Sequence, residues 1–585
     1  YVSASGSTGL ENLAYMTRLG LWGPGTPYDG VHKFMDEFEN AGLSGMEAIT
    51  AHIKAAGLMV CRQLSLAEVT YEELTHVMTV KDEELFDAYT KTLIEIARVA
   101  RECASKAVNK NTIKRLHYRG WRSLRADNGQ GQNYGAIYGS VSKRMVDTLI
   151  VSIKTATMIH DMHKALGRGE AIVIQLQNTF EAELNRAIAS GAAYESDQYQ
   201  ATSEIVRFVQ GLPDYQVDAN GRALLDANGK TIPVIENIHA KNAMLERIRA
   251  LPSFMRPLEQ LFAEFGTSRV AELTGRTRRL VPLNSLGNQG DPSAPMTIEQ
   301  RSDNDRRQDW RAFMADQKQI IVFSNDAGGT GLDYHASLSH RNQRLRRHMI
   351  LQVGHRADQA VQGPGRSHRS AQKQAPVVVV VRLDLPAEKV YTSAVVARMA
   401  SLGALSQGHR AASANGLFST LDTYNSSHAI AGWEKFMSKL KSNQYPDLKT
   451  EDFAMLGYFD NAEQAGYTSK TDFMKRAATL PIAIQRAAFN ALDEEINNHI
   501  MIQIGQGRFD TGPETMRDPV TVLTQETIYE HPYTAARIMV SRLACDVTAS
   551  IAKFHEAYQS ATFMRPNDNE MPRVFFNQAA ADVWI

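Results

Sequence analysis

EAIVIQLQNT, residues 170–179, is where the chain changes period. Upstream, from about residue 27 to 170, apolar residues return at three- and four-residue spacing, as in DGVHKFMDEFENAGLSGMEAITAHIKAAG and LFDAYTKTLIEIARVARECASKAV, the pattern of amphipathic helices. In AIVIQL the apolar residues run nearly together. Asn178, Thr179 and the helical FEAELNRAIA follow, which reads as strand, turn, helix. The unit recurs in KQIIVFSNDAGGTG (318–331), in HMILQV (348–353) before DQAVQ, and in APVVVVVRLDLP (375–386) before YTSAVVARMASLG. Continuous apolar strands alternating with helices need cover on both faces, so the pattern predicts an α/β architecture with a parallel sheet between helix layers.

About 140 residues separate the first two of these strands, too many for one crossover, so an insertion over about 190–300 is predicted. Within it, VDANGRALLDANGKTIPVI carries two Asn-Gly pairs, a hairpin signal. Beyond residue 420 the pattern is helical to near 507, then gives a short strand pair around DPVTVLTQETIYEH and a further helix. The predicted organisation is a short segment 1–26, a helical region 27–150, an α/β domain 151–420 and an α-rich region 421–585. The opening YVSASGSTGLENLAYM has no initiator Met and reads as a strand end entering a Gly/Ser turn and a helix, which predicts a chain cut from a longer one.

Lys plus Arg and Asp plus Glu each number 64, so any site for an anionic partner has to be a local patch. Cys61, Cys103 and Cys545 lie far apart without CxxC or Cys/His spacing, which argues for a reducing compartment and against a disulfide scaffold or structural zinc; no metal site is expected on the chain. The longest apolar runs, such as APVVVVVRL, are too short to span a bilayer, and no basic-then-apolar leader opens the chain, so a soluble protein without a membrane partner is expected.

The tripeptide Gly229-Lys230-Thr231 ends like a phosphate loop, but that motif needs a glycine where Leu224 stands, and a hairpin tip explains the residues better. Three features carry chemistry. The turn SNDAGGTGLD (324–333) holds three glycines in four residues after a buried strand, which lets backbone amides approach a phosphate. The run HRNQRLRRH supplies Arg341, Arg344, Arg346 and Arg347, either a solvated charge run or a set of phosphate contacts. In QGPGRSHRSAQ (362–372), Arg366 and Arg369 stand one turn apart and can present two guanidinium forks to one anion.

A Ser-Ala-Ser turn, a strand ending in LQNT, a glycine-rich turn after a buried strand and a Q-x-x-G-R-x-x-R turn follow one another as motifs III to VI do in superfamily-two helicases. The chain resembles the strawberry notch branch of those helicase-like ATPases. The matching segments are SASGSTGLENLAYMTRLGLWGPGT, GMEAITAHIKAAG, RQLSL, IVIQLQNT, VAELTGR (270–276), RNQRLRRHM, DQAVQGPGRSHRSAQ, SLGALSQGHRA and ANGLFSTLD, which span residues 1 to about 420. The resemblance implies that the α/β domain is the second RecA-like domain of such a protein, with ATP and Mg2+ shared with a first RecA-like half and nucleic acid, DNA foremost, lying across both. It implies that Ser3 and Ser5 couple ATP state to closure, and that Gln177, Asn178 and Thr179 meet a backbone phosphate at a helix N-terminus. Asp326, Gly328, Gly329, Gly331 and Asp333 then join ATP to nucleic acid, with Gly329, Gly331 and Asp333 on the nucleotide side, and Gln362, Arg366 and Arg369 form the arginine-finger side. Stabilising charge on a transferring phosphoryl group is the chemistry that positioned arginines supply.

Two departures from the family pattern stand in the sequence: Gly354-His355-Arg356 where the family carries an aromatic, and Pro364 where a bulky apolar residue is usual. With motif III at its first residues, the chain is read as lying after the Walker A and B motifs and as inactive on ATP by itself. Its expected partners are the N-terminal half of the same protein and nucleic acid, with a methyltransferase or a phage protein as further candidates. The expected location is the cytoplasm of a bacterium, with a phage virion or, in a eukaryote, the nucleus as alternatives. The competing reading is a non-catalytic interaction or structural module, including an antirestriction component.

Overall fold

The computed structural model describes residues 20–23, 28–55, 57–58, 68–107, 124–125, 131–132, 134–189, 197–217, 223–282, 296–325, 328, 331–352, 362–390, 392–393, 396, 424, 426–450, 453, 470–506, 520–530, 537–545, 562–564 and 573–575. At its centre are six strands: β1 (Thr70–His76), β2 (Ala171–Leu176), β3 (Val270–Leu273), β4 (Ile320–Ser324), β5 (Arg346–Ile350) and β6 (Val377–Leu383). They form one sheet in the order β1-β6-β5-β2-β4-β3, with every neighbouring pair parallel. Helices cover both faces, as an all-parallel sheet requires. This is the RecA-like α/β fold.

Strand alternation assigns side chains to the two faces. Ile172, Ile174 and Leu176 of β2 pack with Met158 and Met162 of the helix Tyr134–Gly167 and with Leu258, Phe262 and Phe265 of the helix Pro257–Arg269. Ala171 and Val173 pack on the other face with Phe313 and Met314 of the helix Asp303–Met314. That helix starts in a capping box, Ser302 accepting from the Asp305 amide while the Asp305 carboxylate accepts from the Ser302 amide. Further cores lie beyond the sheet, and two of them are built mainly between helices. One joins the helices Val80–Ala107, Tyr134–Gly167, Asp197–Gln210 and Ile235–Arg249, and the other joins Ser427–Lys441, Lys470–Ala477 and Ile482–Gly505.

Three segments differ from the sequence reading. TYEELTH lies in the stretch read as helical from 27 to 150, yet it is the edge strand β1, paired with β6 from Thr70↔Val377 to His76↔Leu383. An edge strand needs only backbone partners and tolerates charge, so its glutamates hid it. VAEL lies inside the predicted insertion 190–300, yet it is β3, the opposite edge, and it splits that connection into two crossovers. RIMVSRLAC, read as part of a helix, is a strand (Arg537–Cys545) antiparallel to Val520–Glu530, which the reading had folded into a pair of its own.

The hairpin reading of 217–234 stands. Bridges join Val217↔Ala223, Leu225↔Thr231 and Tyr215↔Pro233. The Asp226–Lys230 tip closes with Gly229 at φ 76 and its amide donating to the Asp226 carbonyl at 3.0 Å, so Gly229-Lys230-Thr231 is a turn and not a phosphate loop.

Candidate nucleotide and nucleic-acid site

The C-terminal ends of β2, β4 and β5 carry the residues that the motifs predict, as expected for open parallel sheets, whose ligands bind beyond the strand carboxyl ends. After β4 the chain passes through Gly328, where a Cβ would stand 2.6 Å from the Phe323 Cβ and 2.8 Å from the Leu273 carbonyl, so no larger residue fits. The Tyr334 hydroxyl donates to the Gly328 carbonyl at 2.6 Å and ties down the end of the turn. The segment 334–338 then lies alongside 366–373: the Tyr334 amide donates to the Arg366 carbonyl at 2.7 Å and the Leu338 amide to the Ala371 carbonyl at 3.0 Å.

Within that junction, Arg366 and Arg369 meet one carboxylate. Asp333 Oδ1 is 2.8 Å from Arg369 Nη2 and 3.6 Å from Arg366 Nη1. Arg366 sits on the short 3-10 turn Pro364–Arg366, whose first position suits the fixed φ of Pro364, and that departure from the family pattern is locally favourable. Arg369 Nε donates to the Gly365 carbonyl at 3.1 Å. The Arg369 side chain is 41% exposed and that of Arg366 12%, so one guanidinium stands at the surface and the other just beneath it. Gln362 is half-buried where the turn begins, and Gly331 is exposed with φ 80, in the left-handed region.

Gln177, Asn178 and Thr179 are half-buried beyond β2. The amides of Gln177 and Asn178 both donate to Gln352 Oε1, at 3.2 and 3.0 Å, and the Phe180 amide to Asn178 Oδ1 at 3.0 Å. Gln352 is held in turn by its Nε2, which donates to Asp147 Oδ2 at 2.6 Å; burial pushes the Asp147 carboxyl up to about 6. The Gln177 and Asn178 amides that could greet a phosphate are thus engaged inside the protein.

The arginine run divides. Arg341 is exposed. Arg344 is paired with Asp316, Nε to Oδ1 at 2.7 Å and Nη2 to Oδ2 at 3.1 Å, and its Nη1 donates to the Gly169 carbonyl at 3.2 Å. Asp316 and Gly169 precede β4 and β2, so Arg344 lies at the N-terminal edge of the sheet, away from the motif residues, and the reading of it as a phosphate contact gives way to a structural ion pair. Arg347 pairs with Asp161 at 2.6 Å and Glu72 at 2.7 Å. Arg346 is buried, donates to the carbonyls of Tyr334, His335, Asn342 and Arg344 and to the Asn342 side chain, and is pulled by burial to about 10. Ser3, Ser5, Asp326, Gly329 and the Gly354-His355-Arg356 stretch lie outside the described residues. Among the described residues, no group of three or more His, Cys, Asp or Glu is placed to hold a metal ion, so none is assigned to Mg2+.

A set of residues that sequence reasoning missed joins motifs IV, V and VI. Ser367 Oγ bonds His348 Nδ1 at 2.8 Å, His348 Nε2 bonds Gln175 Oε1 at 3.2 Å, Gln175 Nε2 donates to Asn325 Oδ1 at 2.9 Å, and Asn325 Nδ2 donates to Gln177 Oε1 at 2.9 Å. Ser367, His348 and Gln175 have no exposed surface and Asn325 is 4% exposed. Gly363 leans on this row, where a Cβ would fall 2.1 Å from Gln175 Oε1. The signal in the sequence was a lone amide within AIVIQL and a lone imidazole within RRHMI, polar groups that a buried strand admits only with partners.

Residues 256–515 match the family described as the C-terminal domain on strawberry notch homologue, and residues 1–88 match the family described as P-loop containing NTP hydrolase pore-1. The protein named strawberry notch homolog 2 from Mus musculus is 24% identical over 88% of this chain and 44% of its own length. The chain is similar to strawberry notch proteins over most of its length. Strawberry notch homolog 1 from Rattus norvegicus is 24% identical over 70% of this chain and 37% of its own, and FORGETTER 1 from Arabidopsis thaliana 22% identical over 73% and 40%. The chain therefore spans about two fifths of the length of these relatives. The two family matches liken it to helicase-like ATPases. The C-terminal part of the Fun30 ATPase domain aligns at 13% identity with a TM-score of 0.19, covering 54% of this chain and 85% of that one; the fold assignment rests on the sheet itself. No helix among the described residues is long and apolar enough to cross a membrane.

Proposed function

We propose that this chain is the second RecA-like half of a nucleic-acid-dependent ATPase of superfamily two, a helicase or translocase, and that Arg366 and Arg369 are its arginine-finger side. The observation that carries the proposal is the pair itself: two guanidinium groups one turn apart beyond the strand ends of a parallel sheet, joined to one carboxylate and partly open to solvent. Such a pair fits the phosphates of ATP, and a cleft closed by a first RecA-like half of the same protein would bring them there. When bound, ATP with Mg2+ supplies the transferable phosphoryl group; this chain's part is to bind and neutralise its charge with Arg369, steadied by Arg366. Gln177 and Thr179 face the nucleic acid, DNA being the favoured polymer, and Asp333 stands between the two functions.

The test is ATP hydrolysis by the full-length protein with and without a single-stranded oligodeoxynucleotide, wild type against Arg369→Ala. Loss of hydrolysis with retained folding supports the proposal. Unchanged hydrolysis, or none in the wild type, sinks it and favours a non-catalytic interaction module.

A further inference from the structure

Every member of the buried row from Ser367 to Gln177 can donate at one end and accept at the other: a hydroxyl, a neutral imidazole and three amides. His348 stays neutral because burial pushes it down to about 3. The row therefore has two complete hydrogen-bonding states. In the first, Ser367 donates to His348 Nδ1, His348 Nε2–H donates to Gln175, Gln175 to Asn325 and Asn325 to Gln177, which leaves the Gln177 amide nitrogen for the surface. In the second, every bond is reversed: Gln177 donates inward and presents its oxygen, and His348 carries its proton on Nδ1. A mixed state sets two donors or two acceptors face to face inside the core and leaves buried polar groups unsatisfied.

We infer that this row is a two-state polar switch through which the group meeting Gln177 at the surface sets the hydrogen bonding of the turn that carries Arg366 and Arg369. The inference rests on the proposed function, which places nucleic acid at Gln177 and ATP at the arginines. A phosphate oxygen only accepts, so it selects the state in which Gln177 offers its nitrogen. The far end responds because Ser367 closes the Pro364–Arg366 turn, its amide donating to the Pro364 carbonyl at 3.0 Å, while Gly363 at the near end rests directly on Gln175. Gln175 and His348 are thus positioning residues that touch neither ligand, and the row is a physical two-state element between the two sites.

Two substitutions lock the row in opposite states. Gln177→Glu can only accept from Asn325, and Gln177→Lys can only donate to it. In the full-length protein with 15N-labelled histidine, Gln177→Glu should show His348 protonated on Nε2 and Gln177→Lys should show it on Nδ1, a change in tautomer ratio of at least about tenfold. The same tautomer in both variants overturns the switch.

The functional readout is the stimulation of ATP hydrolysis by a single-stranded oligodeoxynucleotide. Gln177→Met and Ser367→Ala should each reduce it about fivefold, and the double variant should lose no more than the worse single one, whereas losses that multiply overturn the coupling. If the wild-type protein shows no nucleic-acid-stimulated hydrolysis, the proposed function fails on that ground, and the histidine spectra alone then decide the switch.

Discussion

The two edges of the central sheet treat arginine in opposite ways. At the N-terminal edge, Arg344, Arg346 and Arg347 are satisfied: each meets its own carboxylates or a ring of carbonyls, and Arg346 alone donates to five oxygens. Beyond the C-terminal edge, Arg366 and Arg369 share Asp333, and Arg369 keeps 41% of its side chain in solvent. An arginine whose donors are all matched within the protein holds the fold together; one that shares its counter-charge and faces solvent is available to a ligand. Arginine density in the sequence is highest at 341–347, where three of the four arginines are paired within the protein.

Substitutions can break or sharpen this contrast. The largest expected effect is on catalysis: Arg369→Ala should slow ATP hydrolysis by the full-length protein about a thousandfold, as arginine fingers do, while leaving the urea midpoint within error. Arg346→Leu should do the reverse. It orphans the carbonyls and amide that Arg346 satisfies, and equilibrium urea unfolding should register a loss of about 3–5 kcal/mol. Equal effects of the two variants on hydrolysis at matched folded fraction would erase the distinction between the edges.

Gly363→Ala tests how closely the arginine turn fits the sheet. Its Cβ would overlap Gln175, so a loss of about 1–3 kcal/mol in urea unfolding is expected, together with slower hydrolysis as the turn is displaced. Arg344→Ala should cost only about 1 kcal/mol, since its pair with Asp316 is partly exposed, and should leave the salt dependence of oligodeoxynucleotide affinity unchanged. A flattened salt slope in that variant would return Arg344 to the ligand-binding side.

The smallest effect concerns pH. Burial raises the Asp147 carboxyl to about 6, so the folded state holds that proton more tightly than the unfolded chain. Its stabilising contribution is complete below the ordinary carboxyl range and disappears as pH rises through about 6. Asp147→Asn keeps an oxygen for Gln352 and removes the titration, so the difference in urea midpoint between about pH 4.5 and pH 7 should shrink. An unchanged difference would assign the slope to other groups.

The strands that were legible in the sequence are those buried on both faces. AIVIQL, IIVFS and VVVVVRL announce themselves because the interior of a parallel sheet admits little but apolar residues, and motifs IV and V lie where the first two of them end. The β5 strand was placed two residues late, because Arg346 and Arg347 read as surface charge before their partners were visible. The two edges, TYEELTH and VAEL, carried too little apolar signal. Arg366 and Arg369 were legible from their spacing, but Asp333 as their shared carboxylate was not, since it depends on the pairing of 334–338 with 366–373, which no local pattern encodes. The row through Gln175 and His348 was hidden for the same reason: its members are far apart in the chain and meet only in the fold.

The pairing of Thr70 with Val377 has a consequence in time. Its two halves are separated by roughly 300 residues of synthesis, which at ribosomal rates of about 5–20 residues per second takes about 15–60 s. For that interval β1 has been made but its partner strand has not, and the sheet cannot acquire that edge. Glu72 and Glu73 in TYEELTH, which cost it recognition as a strand, put charge on that waiting edge, and charge on an edge strand disfavours pairing with another chain.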